Sequence, residues 1–233
     1  MKSSLLCLLL FALSVAGYAQ NYTPFYSGVC LEKVLPPPPS ITDARYFDDW
    51  TQYQWGLSVR STQRGVQARE DAFLNPEYFM KRFSPALHRE LSVEEYPVLA
   101  DLMARTHATE WTNNASVKSH YRRPRPYQQF ADSTLVPEHV NLHDSTSYPS
   151  GHTMVSWMEG LVLCVIAPEY TEEIMQVAYE LGQSRVIAGY HYQSDVDAGR
   201  LCASILFARM CSNPDYLALL EKAKAEYKRN ARK

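Results

Sequence analysis

One stretch limits the fold more than any other. Met154 to Ala167 is a mainly apolar run of 14 residues with Glu159 inside it. A membrane span needs about 20 apolar residues, so this run is too short to cross a bilayer and reads as a helix buried in a protein core. No apolar run of 18 residues occurs after the N-terminus. Other segments repeat the helical period. Thr42 or Asp43 can cap a helix carrying Tyr46, Trp50, Tyr53 and Trp55. Glu94 to Lys118 places Tyr96, Leu99, Leu102 and Met103 on one stripe. Thr171 to Ile187 and Ser194 to Met210 each carry apolar residues at helical spacing, and a last helix runs from Pro214 into a basic, solvated end. Strand-like alternation is scarce. The expected fold class is all-α, a single helical bundle, with loops rich in Pro, Tyr and His at 119–150 and 188–193.

The N-terminus differs from the rest. Lys2 precedes the apolar stretch Leu5 to Val15, and Gly17-Tyr18-Ala19 has small residues where a signal peptidase acts. Residues 1–19 therefore read as a secretory signal, which makes the mature chain periplasmic or secreted. A membrane anchor is the rival reading, but the stretch is short for one. Cys7 lies too early for a lipoprotein. Residues 20–40 read as an N-terminal arm with a stiff Pro36 to Pro39 segment, and residues 41–233 as the helical domain. Removing Lys2 with the leader takes the formal charge from −2 to −3, so nothing points to nucleic acid. Cys30, Cys164, Cys202 and Cys211 remain. Four cysteines in an exported chain permit one or two disulfides, or buried free thiols, and their spacing selects no pair.

Three clusters carry chemistry. The first is Lys118-Ser-His-Tyr-Arg-Arg-Pro-Arg125-Pro126. Arg grips phosphate through paired donors and Lys as a point charge, and Pro126 fixes the direction of Arg125. Alone, such a run is ordinarily a solvated face. The second is Ser147 to Thr153, just before the apolar helix. Ser150 sits where an N-cap belongs, and Gly151 would offer a free N–H at a helix start, a ready anion site, with His152 beside it. A plain Ser cap is the alternative. The third is Ser184-Arg185, His191 and Asp195. Gly189 can end one helix, and Ser194 can cap the next with Asp197 three residues on. A carboxylate on one imidazole nitrogen leaves the other with an outward lone pair, as a nucleophilic or basic His requires. A structural His–Asp contact would look the same. Together the clusters supply cations, an oxyanion-binding helix start and two histidines, which is most of what phosphoryl transfer needs.

The pattern Lys118-x6-Arg125-Pro126, Pro149-Ser150-Gly151-His152, Ser184-Arg185-x5-His191-x3-Asp195 resembles the three-part signature of the acid phosphatase/haloperoxidase superfamily, or PAP2 family. Leu35 to Pro39, Tyr179 to Ile187, Gly189 to Asp197 and Lys222 to Tyr227 look like bacterial class A non-specific acid phosphatases, so the resemblance covers nearly all of the mature chain. It implies a metal-independent enzyme without a cofactor that hydrolyses small phosphate monoesters, with broad specificity and at acidic pH. His191 would attack phosphorus, Asp195 would hold its tautomer, and His152 would protonate the leaving group. Lys118, Arg125, Ser150, Gly151 and Arg185 would bind phosphoryl oxygens. With the ordinary His value near 6.5, His152 would be largely protonated at mildly acidic pH. One departure is visible: Thr146 stands where class A enzymes usually have Gly. The family is often oligomeric, which leaves a homo-oligomer open.

Three other readings remain. His139, His143 and Asp144 lie close together, and His191-x3-Asp195 also has metal-ligand spacing, as in a metal phosphoesterase. The same pocket could hold vanadate as a haloperoxidase. An exported anion-binding module without turnover would need neither His152 nor His191. Nothing in the sequence places the residues that face the leaving group.

Overall fold

The computed structural model describes residues 22–73 and 75–230. The expected signal peptide lies outside the described residues, among which helices and short turns occur without a strand. Among the described residues nine α-helices follow in order: α1 Ala44–Val59, α2 Gln63–Glu70, α3 Pro76–Phe83, α4 Pro97–Tyr121, the short α5 Pro126–Gln129, α6 Gly151–Ile166, α7 Thr171–Ile187, α8 Gln193–Met210 and α9 Pro214–Asn230. The apolar run forms the body of α6, which packs against α4, α7, α8 and α9. Met154, Met158, Val162 and Leu163 are fully buried there. A helix apolar on most of its circumference finds its stable place under a jacket of others.

Local chemistry explains most helix starts. Asp43 accepts from the Arg45 N–H at 2.9 Å and begins α1. α2 and α3 are capped by Thr62 and Asn75, whose side chains accept from Arg64 N and Tyr78 N; neither helix was anticipated from the sequence. α4 begins at Pro97, with proline at the first helical position where its missing N–H costs nothing. It runs past Lys118 to Tyr121, three residues beyond the expected end. Arg122 then takes a left-handed φ of 48° and breaks the helix. α8 departs from expectation at its start. Its N-cap is Tyr192, not Ser194, and the Tyr192 N–H is satisfied by Asp195 at 3.0 Å, not by a contact involving Asp197. Ser194 is instead drawn to Asp49 of α1.

Gly189 follows α7 with φ 83°, a left-handed turn that favours glycine. The loop it opens returns the chain to α8 through His191. Residues 22–40 run against α4: the Phe25 N–H reaches Thr109 and the Val29 N–H reaches Asn113. Phe25, Leu31 and Leu35 are buried in the core. The four cysteines among the described residues, Cys30, Cys164, Cys202 and Cys211, are free thiols, with Cys30 and Cys211 exposed and Cys202 buried; the disulfides that their number permits do not form among them.

Candidate active site

A cavity of about 480 Å³ opens where the C-terminal half of α4, the N-terminus of α6, the C-terminal end of α7 and the loop before α8 meet. Six of the eight residues expected to make the site line it: Lys118, Arg125, Gly151, His152, Arg185 and His191. The other two, Asp195 and Ser150, are fully buried beside His191 and Gly151.

His191 leads straight into α8, and the pair it forms with Asp195 spans one turn. Its Nδ1 lies 3.2 Å from Asp195 Oδ2. The carboxylate can only accept, so Nδ1 carries the proton and Nε2 presents its lone pair to the cavity. Arg125 Nη1 donates to that lone pair at 3.0 Å. Burial, then the Arg125 charge, push His191 down to about 3, and Asp195 only partly opposes this. The imidazole is therefore neutral above about pH 3.

Asp195 is held from every side. Arg123 Nη1 reaches Oδ1 at 2.6 Å, while Oδ2 accepts from the Ser147 hydroxyl at 2.6 Å and the Tyr192 N–H at 3.0 Å. Burial alone would raise its carboxyl, but Arg123 and these donors outweigh burial and hold it well below the usual carboxylate range. Arg123 also donates to Asp49 at 2.8 Å, and Asp49 takes the Ser194 N–H and hydroxyl. α1, the loop after α4 and α8 are thus tied by one buried ionic network behind His191. The sequence assigned no role to Arg123 or Ser147, which stand inside the first and second clusters, and did not point to Asp49. Arg123 lay inside the basic run, but nothing in sequence separates a buried arginine there from solvated ones.

Ser150 caps α6, accepting from the Thr153 hydroxyl at 3.0 Å and the Thr153 N–H at 3.4 Å. Gly151 follows because a side chain has no room: a Cβ there would lie 2.9 Å from Asn114 Nδ2 and 3.2 Å from Glu110 Oε1. His152 Nε2 lies 3.0 Å from the Ala72 carbonyl, so Nε2 carries the proton and Nδ1 is the nitrogen left for chemistry. Ala72 follows Asp71, a buried carboxylate gripped by Tyr78, Gln67, Arg82 and Ser184. Burial, then Arg185, push His152 well below its ordinary value. The expectation that His152 is largely protonated at mildly acidic pH therefore fails for the site by itself, because a buried imidazole beside two arginines disfavours a third positive charge.

The cations are fixed differently. Lys118 Nζ donates to the carbonyls of Thr146 and Pro149, both at 2.6 Å. Arg125 Nε meets Asp144 Oδ2 at 2.5 Å. Arg185 is 2% exposed, yet its Nε and Nη1 have no partner. Buried charged donors are costly to leave unmade, and two of them on a residue that lines the cavity suit an anion. Asp144, proposed above as one of three metal ligands with His139 and His143, is engaged by Arg125 and Thr146, while His143 is exposed. Among the described residues no three His, Cys, Asp or Glu side chains gather as a metal-binding set. α4 also brings Glu110, Asn114 and His107 to the cavity, residues the sequence reading did not single out. The signal was their helical spacing with Lys118.

Residues 99–215 match the PAP2 superfamily. A non-specific acid phosphatase of Providencia stuartii is 39% identical over 198 residues, covering 83% of this chain and 79% of the relative. A non-specific acid phosphatase of Salmonella typhimurium is 38% identical over 238 residues, covering 97% and 93%. An acid phosphatase of Zymomonas mobilis is 30% identical over 220 residues, covering 91% and 82%. Among the described residues no helix is long and apolar enough to cross a membrane.

Proposed function

The chain belongs to the PAP2 superfamily and is an acid phosphatase of that family, and from this we propose that it hydrolyses small phosphate monoesters through a phosphohistidine on His191, outside the cytoplasm and best at acidic pH. The single observation that carries the mechanism is the pairing of a neutral, outward His191 Nε2 with the two partnerless Arg185 donors in one cavity.

The phosphoryl group enters with its oxygens on Arg185, Arg125, Lys118, the Gly151 N–H and the Ser150 hydroxyl. Arg125 Nη1 leaves His191 and turns to an equatorial oxygen. Nε2 then attacks phosphorus in line, the P–N bond forms, and the ester P–O bond breaks. Asp195, kept ionised by Arg123, balances the positive imidazolium that develops. His152 Nδ1 delivers a proton to the departing alkoxide. Water next attacks phosphorus, gives its proton to His152, and the P–N bond breaks to release phosphate.

The proton needs a source, because His152 alone is neutral. A phosphate monoester with a second pKa near 6 arrives as the monoanion in mild acid and carries that proton into the site. Its negative charge also offsets Arg185 and favours the protonated imidazole. Acid activity then follows from the substrate's proton together with a nucleophile that stays unprotonated down to about 3.

The test is rapid quenching during turnover of p-nitrophenyl phosphate, followed by mapping of acid-labile phosphate. Label on His191 supports the mechanism. Intact activity without label, under quenching faster than turnover, refutes it.

A further inference from the structure

Taking the cavity as a phosphoryl site, we infer that Thr146 is a positioning residue for the reaction: its hydroxyl locks Asp144, and Asp144 in turn sets the Arg125 fork relative to His191. The three cations of the cavity are anchored by different means. Lys118 rests on two backbone carbonyls, Arg185 has two donors without a partner, and Arg125 alone of the three is gripped by a side chain. Its Nε meets Asp144 Oδ2 at 2.5 Å, while Nη1 faces the Tyr190 carbonyl at 3.1 Å and His191 Nε2 at 3.0 Å.

That arrangement makes the Nε–Asp144 contact a pivot. For a phosphoryl group to reach Nε2, Nη1 has to leave the lone pair and turn toward an oxygen while Nε stays held. Asp144 stands in a loop, so something must hold it. Its Oδ1 accepts from the Thr146 N–H at 2.7 Å and, in a shorter contact, from the Thr146 hydroxyl. The same hydroxyl lies 3.4 Å from Arg125 Nη2. Burial would raise the Asp144 carboxyl, but Arg125 and Thr146 outweigh it and hold it below its ordinary value. Thr146 thus links the loop to both cations, by its carbonyl to Lys118 and by its hydroxyl to Asp144 and Arg125.

Thr146→Val removes the hydroxyl and keeps shape, amide and carbonyl, so it isolates the link to Arg125. In the full chain with p-nitrophenyl phosphate, kcat is expected to fall about tenfold, which is about 1.4 kcal/mol. Melting temperature and inhibition by inorganic phosphate should stay within about threefold or a few degrees, because every phosphate donor remains. Thr146→Ser should return kcat to within about threefold of the parent, since the hydroxyl is restored. A Thr146→Val enzyme with parental kcat, or a Thr146→Ser enzyme as slow as the valine variant, overturns the assignment. If the valine variant does not fold, Asp144→Asn decides: kcat should fall while inorganic phosphate inhibits equally or more tightly, because a negative charge has left the cavity. Weakened phosphate inhibition in proportion to kcat overturns it. A parent enzyme that releases no phosphate defeats the reading of the site itself, a result distinct from any of these.

Discussion

Arg185 offers the sharpest conflict between stability and function in this molecule. It is 2% exposed, its Nε and Nη1 have no partner, and burial followed by the Arg125 charge push its guanidinium down to about 10 from an ordinary 12.5. At 1.36 kcal/mol per pH unit, that difference corresponds to roughly 3 kcal/mol against holding the charge in the fold. Attraction to the Tyr190 ring, 4.9 Å from the guanidinium carbon, is lost in a variant and returns about 1 kcal/mol of the gain. Arg185→Met keeps most of the stem volume, so it should stabilise the phosphate-free protein by about 1–2 kcal/mol, or roughly 2–8 °C in melting temperature for a chain of this size. Loss of the phosphoryl contact should cost at least about 10²–10³-fold in kcat/KM. Inorganic phosphate at 100 times its Kd should stabilise the parent by about 2.7 kcal/mol and leave the variant unmoved. Thermal melts with and without phosphate, beside p-nitrophenyl phosphate kinetics, measure all three. A variant that melts lower than the parent, or that still gains stability from phosphate, would refute the claim that Arg185 is held charged for the ligand and not for the fold.

Other substitutions follow the same logic. Glu159 is fully buried in α6 with both oxygens unpartnered, and burial raises its carboxyl well above the ordinary value. Its folded form stays protonated while the unfolded chain ionises above about 4.5, so stability should fall by up to about 1.4 kcal/mol per pH unit from there until the folded group ionises. Glu159→Gln should flatten that slope in denaturant titrations between pH 4 and 8; an unchanged slope assigns it elsewhere. Arg123→Met would strand Asp49 and Asp195 as buried unpaired charges and should cost about 3–5 kcal/mol in urea unfolding, whereas a loss under about 1 kcal/mol contradicts the network. The pH–rate profile should keep its acidic limb near 3, where His191 protonates, and decline above about 6 as the substrate loses its proton; an acidic limb near 6.5 would mean that His191 is not shielded.

Much of the fold is legible locally because helices are local objects. The 14-residue apolar run announced α6, and the period of 171–187 gave α7 to the residue. The two short helices α2 and α3 escaped because each has only eight residues, about two turns, too few to display a helical period clearly, although the caps Thr62 and Asn75 mark their starts. The start of α8 was misread because Ser194 has the chemistry of a cap, yet Asp49, 145 residues earlier, competes for it. That contact has no trace in local spacing.

The candidate site divides along the same line. The sequence by itself determined the candidate groups, since Lys118, Arg125, Ser150, Gly151, His152, Arg185, His191 and Asp195 sit at spacings set by helix starts, helix ends and one tight turn. The tertiary structure decided what those groups are at a given pH. Burial and neighbouring arginines, not residue type, make both histidines neutral, and Arg123 from another element keeps Asp195 ionised. It also decided which arginine keeps unpartnered donors and which is already spent. Arg123 is saturated by two carboxylates, Arg125 is clipped to Asp144, and Arg185 keeps two free donors. Proton affinity and hydrogen-bond demand depend on what lies within a few ångströms, and in a folded chain those neighbours come from anywhere along it.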